Sequence, residues 1–318
     1  MLAPMEGVVN ARMRRLLTNI GGIDRCVTEF VRVNHQVLPD RVFHRLCPEL
    51  KEQGRTESGV PVFVQLLGSD APMMANNAER AEILGAKGLD INFGCPAKTV
   101  NRHRGGSVLL TEPNTVYEVV SAMRNRVSKN IPVHAKIRLG YENDSLLSEI
   151  VDAVQSGGAN ELVIHARTKA DGYKPPAHWH RVKPLLHRYT IPIVINGEIW
   201  TIDDAIQAQL DSGCADIMLG RGLLARPDLP LTIRNISNGI KGETLAWQDI
   251  HQLLLMFFRE CIVDCPPKHI GGPVKQWLGY LRNSYPEAEV LLSQIKRLKT
   301  IEDLERGLSA NSCPKQAA

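Results

Sequence analysis

The stretch Gly157-Gly158-Ala159-Asn160-Glu161-Leu162-Val163-Ile164-His165 reads as the end of a helix followed at once by a strand. Glycine closes a helix in the left-handed conformation, and an apolar, β-branched run then enters a sheet. The same signature recurs at Leu84-Gly85-Ala86-Lys87-Gly88-Leu89-Asp90-Ile91-Asn92 and at Gly213-Cys214-Ala215-Asp216-Ile217-Met218-Leu219-Gly220. Outward from these, eight strands are predicted, over 1–4, 25–30, 61–67, 88–93, 132–138, 161–165, 192–196 and 215–219. Helical patterns separate most of them. Leu146, Leu147, Ile150, Val151 and Val154 form one apolar face behind the N-cap candidate Asp144. Another helix begins at Thr201, with Asp203 and Asp204 in its first turn. Strand and helix alternating about eight times predict an α/β fold, a (β/α)8 TIM barrel, with an open doubly wound sheet as its rival.

After about residue 240 the character changes. Leu253 to Phe258 is apolar, Pro266-Pro267 interrupts it, and helical patterns follow over 274–285, 286–298 and 301–308. The predicted organisation is a barrel over 1–242, a small all-helical C-terminal domain over 243–309 and a flexible tail over 310–318. The 318 residues are 43% hydrophobic and 23% charged, an ordinary globular composition. No apolar run approaches the ~18 residues of a membrane span, and no secretory signal is visible. Because Met1-Leu2-Ala3-Pro4 already lies in an apolar segment, a few residues are expected to be missing upstream. Seven scattered cysteines suit a reducing cytoplasm. A net charge of +4 permits an RNA partner without arguing for one, and the last 76 residues carry about as many acidic as basic side chains. A monomer is expected.

Barrel chemistry collects at the C-terminal ends of the strands, and polar residues fall there. In Pro61-Val62-Phe63-Val64-Gln65-Leu66, Gln65 lies opposite the face shared by Val62, Val64 and Leu66. Asp90 and Asn92 share a face of their strand, with Cys95 just past its end. In Pro132-Val133-His134-Ala135-Lys136-Ile137-Arg138, small apolar residues alternate with His134, Lys136 and Arg138. A lysine inside a barrel is costly unless it meets an anionic or strongly polar group. Either Asp90 pairs with Lys136 internally, or a ligand presents an electron-rich edge. Gln65, Asn92, Lys136 and His165 on four strands favour the ligand, since a private salt bridge needs only two residues. Strands seven and eight end in Asn196-Gly197-Glu198 and Gly220-Arg221-Gly222, where backbone N–H groups and Arg221 can meet a phosphate. Cys26, Cys214, Cys261 and Cys265 sit in strand or helix patterns and read as structural. Cys261, Cys265 and His269 lack a second ligand pair, so no metal is expected.

Together, Ala3-Pro4-Met5-Glu6-Gly7, Gln65-Leu66-Leu67-Gly68, Asn92-Phe93-Gly94-Cys95-Pro96, Lys136-Ile137-Arg138, His165-Ala166-Arg167-Thr168, Asn196-Gly197-Glu198 and Gly220-Arg221-Gly222 resemble the tRNA-dihydrouridine synthases. The resemblance runs in order through the whole barrel and is strongest to the bacterial C-type subfamily. Dihydroorotate dehydrogenases share parts of the set but lack the Asn-x-Gly-Cys-Pro segment followed by Gly105-Gly106-Ser107.

The resemblance implies an FMN-dependent, NADPH-driven enzyme that reduces the C5=C6 bond of a D-loop uridine, uridine 16, in tRNA. Pro4, Met5, Glu6, Gln65 and Lys136 would support the flavin ring. His165, Asn196, Gly197, Glu198, Gly220 and Arg221 would hold its ribityl chain and phosphate. Asn92 and Arg138 would face an extruded uracil, which takes hydride at C6 and a proton from Cys95 at C5. Arg32, Lys98, Arg102, Arg104, Lys268, Lys275 and Arg282 are candidates to contact the RNA. Two alternatives are a flavin reductase of a free pyrimidine and a flavin-containing RNA-binding protein without turnover.

Overall fold

The computed structural model describes residues 1–242, 244–264, 266 and 269–309. Contacts divide the chain into two compact units, Met1–Ala11 with Ile23–Gly220, and Arg12–Gly22 with the chain from Arg221 onward. The boundary expected at 242/243 therefore falls at 220/221 by contacts, and an N-terminal helix joins the second unit. The tail over 310–318 lies outside the described residues.

The first unit is a parallel sheet of β1 (Cys26–Val27), β2 (Val31–Arg32), β3 (Val62–Leu67), β4 (Leu89–Phe93), β5 (Val133–Arg138), β6 (Glu161–His165), β7 (Ile193–Asn196) and β8 (Ile217–Met218). Each strand from β3 to β7 pairs with the next, and β1 and β2 both pair with β3. Leu2 bridges to Cys26 on one side and Leu219 on the other, which closes the ring. The (β/α)8 reading holds, with two refinements. The strand expected at 1–4 contributes a single bridging residue. The strand expected at 25–30 is interrupted between β1 and β2, where Thr28 turns its hydroxyl to the Gln65 N–H (3.0 Å) and Glu29 accepts from the Gly7 N–H.

Helices flank the sheet, among them Ala71–Ile83, Pro113–Arg126, Leu147–Ser156 and Ile202–Ser212. The start of the last is written in its sequence. Thr201 Oγ1 accepts from the Asp204 N–H (3.0 Å), and the Asp204 carboxylate accepts from the Thr201 N–H (2.9 Å), a reciprocal capping box. Gly213 closes that helix at φ 75°. Asp144 does not cap Leu147–Ser156: its carboxylate pairs with Arg181, and Leu146 occupies the cap position without a side-chain bond.

Inside the ring, Ala3, Val27, Phe63, Val163, Val194 and Met218 form an apolar cluster. Polar residues share that face on the same strands: Gln65 on β3, Asp90 and Asn92 on β4, His134, Lys136 and Arg138 on β5, and Glu161 and His165 on β6. Glu161 accepts from both Arg25 and His134, whose Nδ1 lies 3.2 Å away. Burial pushes the His134 pKa down, although Glu161 works against it.

The second unit holds helices and no strand among its described residues. It contains Arg221–Ala225, Leu229–Ser237, Trp247–Asp264, Gly271–Leu281, Pro286–Ile295 and Ile301–Ser309. Trp277 anchors its core, edge-on to Phe257 at 5.3 Å, with its indole N–H donating to Leu224 O (3.1 Å). Residues 12–22 belong here through Arg15, paired with Glu260 at 2.7 Å, and through Gly22, which packs on the backbone of Pro230 and Leu231.

Candidate active site

The mouth of the ring is assembled from the C-terminal ends of β3 to β7. Gln65 is fully buried and in register with Asp90 on β4; its amide donates to Asp90 Oδ1 (2.6 Å) and its Oε1 accepts from Asn92 Nδ2 (2.8 Å). Asn92 Oδ1 in turn accepts the N–H groups of Gly94 (3.0 Å) and Cys95 (2.8 Å). Cys95 is thus fastened directly beyond its strand. Its carbonyl accepts from Ser107 N (3.0 Å), Ser107 Oγ (2.9 Å) and Asn101 Nδ2 (2.8 Å). Gly106, at φ 66°, lies so close that a Cβ there would stand 2.7 Å from that oxygen. Half-burial raises the Cys95 pKa, partly offset by the Ala97 N–H, Arg138 and Arg32, so the sulfur remains a protonated thiol at neutral pH.

Lys136, in register with Asn92, donates to Asn196 Oδ1 (2.8 Å), and Asn196 Nδ2 donates to Met218 O (2.7 Å). No ion pair joins Lys136 to Asp90 among the described residues. Both groups are nonetheless displaced by burial: Lys136 is lowered to about 8 and Asp90 raised to about 7, each pulled back by the other's charge. An ammonium satisfied by one amide at the open end of a barrel has donor capacity left for an anionic or carbonyl-bearing ligand.

Arg138, 1% exposed, spans three loop carbonyls: Nε donates to Gly94 O (2.8 Å), and one terminal nitrogen donates to Thr168 O (3.0 Å) and Gly172 O (2.8 Å). It therefore ties the Cys95 segment to the loop after β6. Tyr173 on that loop is exposed, 5.1 Å from the Arg138 guanidinium and 6.1 Å from the His165 ring. Gly197, at φ 113°, packs against His165, where a Cβ would fall 2.5 Å from Cδ2. Glu198 is committed elsewhere: its carboxylate takes the buried Arg167 guanidinium and the Trp200 indole N–H (3.0 Å).

The structure gathers Gln65, Asn92, Cys95, Lys136, Arg138, His165, Asn196 and Gly197 around the strand ends. Pro4 and Met5 enter beside them, with Met5 Sδ 3.8 Å from where a Cβ on Gly220 would stand. Glu6 is exposed, its pKa raised by desolvation and by Glu29. Arg221 opens the first helix after Gly220 and belongs to the second unit. Of the residues expected to contact RNA, Arg32 ends β2 half-buried and Lys98 and Arg102 are exposed on the helix Lys98–Arg102. The others have partners: Arg104 pairs with Glu112 (2.6 Å), Arg282 with Glu289 (3.1 Å), and Lys275 donates to Leu298 O (2.6 Å). Lys268 lies outside the described residues.

Sequence reasoning missed the part played by Asn101, Ser107 and Tyr173. The first two act on a backbone carbonyl, which no side-chain pattern marks. Tyr173 is a lone aromatic in the polar loop following β6, a weak but present signal.

The family described as Dihydrouridine synthase (Dus) matches residues 1–305. The chain is 49% identical over 296 residues to the tRNA-dihydrouridine(16) synthase of Pseudomonas putida, covering 93% of this chain and 92% of that one. To the protein of the same name from Shewanella oneidensis it is 49% identical, with 96% of each chain covered. Among solved structures, dihydroorotate dehydrogenase of Eimeria tenella in complex with ferulenol aligns with a TM-score of 0.54 at 14% identity, over 75% of this chain and 81% of that one. Histamine dehydrogenase from Rhizobium sp. 4-9 gives the same TM-score at 16% identity, over 75% of this chain and 45% of that one. At such identities the likeness speaks for the barrel, whereas the match along nearly the whole chain speaks for descent: the chain belongs to the dihydrouridine synthase family, enzymes that use flavin to reduce uridine in tRNA.

Proposed function

We propose that this chain reduces uridine 16 of tRNA, with FMN as its cofactor, NADPH as reductant and Cys95 as the acid. The observation that carries the reading is the fastening of a protonated thiol at the end of β4, beside the donors of Gln65, Lys136 and Asn196. The names of its relatives support the position of the uridine.

The donor set suits FMN. Gln65 and Lys136 would meet the polar edge of its ring, and His165, Asn196 and Gly197 the ribityl chain and phosphate. Gly197 lets the backbone close on His165, and the missing side chain at Gly220 suits a close backbone contact. When bound, the flavin supplies the hydride that uridine takes at C6. Lys136 offers positive charge to an anionic ring, the residue's role in electrostatic stabilisation. Asn92 and Arg138 fix the approach to Cys95, whose Sγ–H gives the proton needed at C5. A thiol raised by burial is suited to donate a proton and poorly suited to attack as thiolate. Lys98 and Arg102, exposed on their helix, would meet RNA phosphates, and the helical unit would add tRNA contacts; the enzyme acts as a cytoplasmic monomer.

The test is single-turnover oxidation of the reduced holoenzyme by unmodified tRNA, without oxygen. Cys95→Ala should leave flavin content and reduction by NADPH intact and slow reoxidation by about 10²-fold or more, the usual weight of acid catalysis. Equal rates would overturn the acid's identity, and turnover of free uracil at a comparable rate would overturn the RNA substrate.

A further inference from the structure

Asp90 lies beneath the mouth, 1% exposed, and the reaction as described makes no use of it. Its surroundings impose a direction on the hydrogen bonds above it. The N–H groups of Gly94 and Cys95 can only donate, so the Asn92 atom facing them must be its oxygen. The Asn92 amide nitrogen then faces Gln65, which must present Oε1. That leaves the Gln65 amide nitrogen pointing down at 2.6 Å from Asp90 Oδ1, where an acceptor is required. Amide orientation is ordinarily ambiguous; here the backbone N–H groups at one end of the chain remove the ambiguity, and Asp90 at the other supplies the acceptor that orientation needs.

We infer that Asp90 is a positioning residue for the proton-transfer step: as the terminal acceptor of the chain Asp90–Gln65–Asn92, it fixes the orientation of both amides and thereby holds the Cys95 backbone in place. A buried acceptor costs free energy to maintain, and a fully satisfied buried network specifies one arrangement. If the acceptor is lost, Gln65 gains nothing by its present orientation and can turn over. Asn92 then meets a donor instead of Oε1, and its hold on Cys95 weakens. The inference rests on the reading of Cys95 as the acid.

Two substitutions test it in the full-length holoenzyme. Asp90→Leu removes the acceptor. Asp90→Asn keeps an oxygen but adds a competing amide nitrogen, so both orientations of the chain become accessible. Reoxidation by tRNA should slow by about tenfold in Asp90→Asn and further in Asp90→Leu, as expected for a displaced reacting group. Flavin reduction by NADPH, which does not need the thiol but meets Gln65 at the flavin ring, should slow less than reoxidation by tRNA does. Independently of turnover, iodoacetamide should modify Cys95, read by peptide mass spectrometry, about fivefold faster or more in Asp90→Asn, because a loosened segment exposes the thiol. A general loss of packing would slow both half-reactions alike; that outcome, or unchanged alkylation in Asp90→Asn, overturns the inference. If Asp90→Leu does not fold, Asp90→Asn decides alone. Cys95→Ala run alongside separates the two ideas: normal reoxidation there sinks the acid, whereas slow reoxidation there with a normal Asp90→Asn sinks only Asp90.

Discussion

A methyl group at Gly106 would stand 2.7 Å from the carbonyl oxygen of Cys95 and 2.9 Å from its Cβ, on a backbone already at φ 66°. Gly106→Ala should therefore push the thiol out of line. The expected result is normal flavin content with tRNA-driven reoxidation lowered by about 10²-fold, measured by stopped flow. Asp90 gives a second expectation at this scale. Its pKa is raised by burial to about 7, so the folded chain holds a proton that the unfolded chain releases near 4. Its contribution to stability is fully present below that unfolded value and lost as pH rises through about 7. Lys136 carries the opposite displacement and changes charge above this window, near 8. Urea unfolding at pH 5 and pH 7.5 should show wild type losing ground relative to Asp90→Asn at the higher pH. The sequence shows why such residues can be found at all: Gln65, Asp90, Asn92, Lys136 and Arg138 are polar at interior positions of apolar strands. Their pairing was less legible. The alternative of a private Asp90–Lys136 salt bridge, disfavoured on sequence, is not formed: parallel register sets Asp90 beside Gln65 and Lys136 beside Asn92.

Elements with a local chemical signature were the most readable. Thr201 and Asp204 close their capping box as the sequence implies, and Thr201→Ala should cost about 1 kcal/mol by thermal unfolding. Asp144 looked equally suited to cap, but a long-range partner, Arg181, claims its carboxylate. Nothing local to residues 144–147 announces that competition. Strand 25–30 failed as one element for the same reason, since Thr28 and Glu29 serve β3 and the Gly7 turn. Glycine pairs offer a clean contrast between strain and contact. Gly59, at φ 82°, has open space, so Gly59→Ala should lose only the left-handed penalty of about 1–2 kcal/mol. Gly22, at φ 79°, would place a Cβ 2.2 Å from Leu231 N, and Gly22→Ala should add an overpacking cost of about 1–3 kcal/mol to that penalty. Equal melting temperatures for the two variants would argue against the packing of residues 12–22 in the helical unit.

At the scale of the molecule, a charge of +4 leaves RNA affinity to particular patches. Arg104, Lys275 and Arg282 already have partners, whereas Lys98 and Arg102 form no ion pair among the described residues. Lys98→Ala and Arg102→Ala should each weaken tRNA binding and reduce the slope of log K against log salt by about one; Arg282→Ala should do neither to that extent. The barrel was legible from its repeated glycine-to-strand signature. The boundary between units was not, because residues 12–22 join a partner more than 200 positions away and composition does not shift at Gly220. The ring's closure at Leu2 carries one more implication. Each of β1 to β8 is secured by at least two registered pairs with a neighbour, but the closing segment is one residue wide, held by Leu2 N to Arg25 O, Val27 N to Leu2 O and Ala3 N to Leu219 O. Deuterium should enter there first: the amides of Leu2, Ala3 and Val27 should exchange well before those of Leu89–Phe93 and Val133–Arg138, making this seam the place where the cylinder breathes open while the strands carrying the chemistry stay shut.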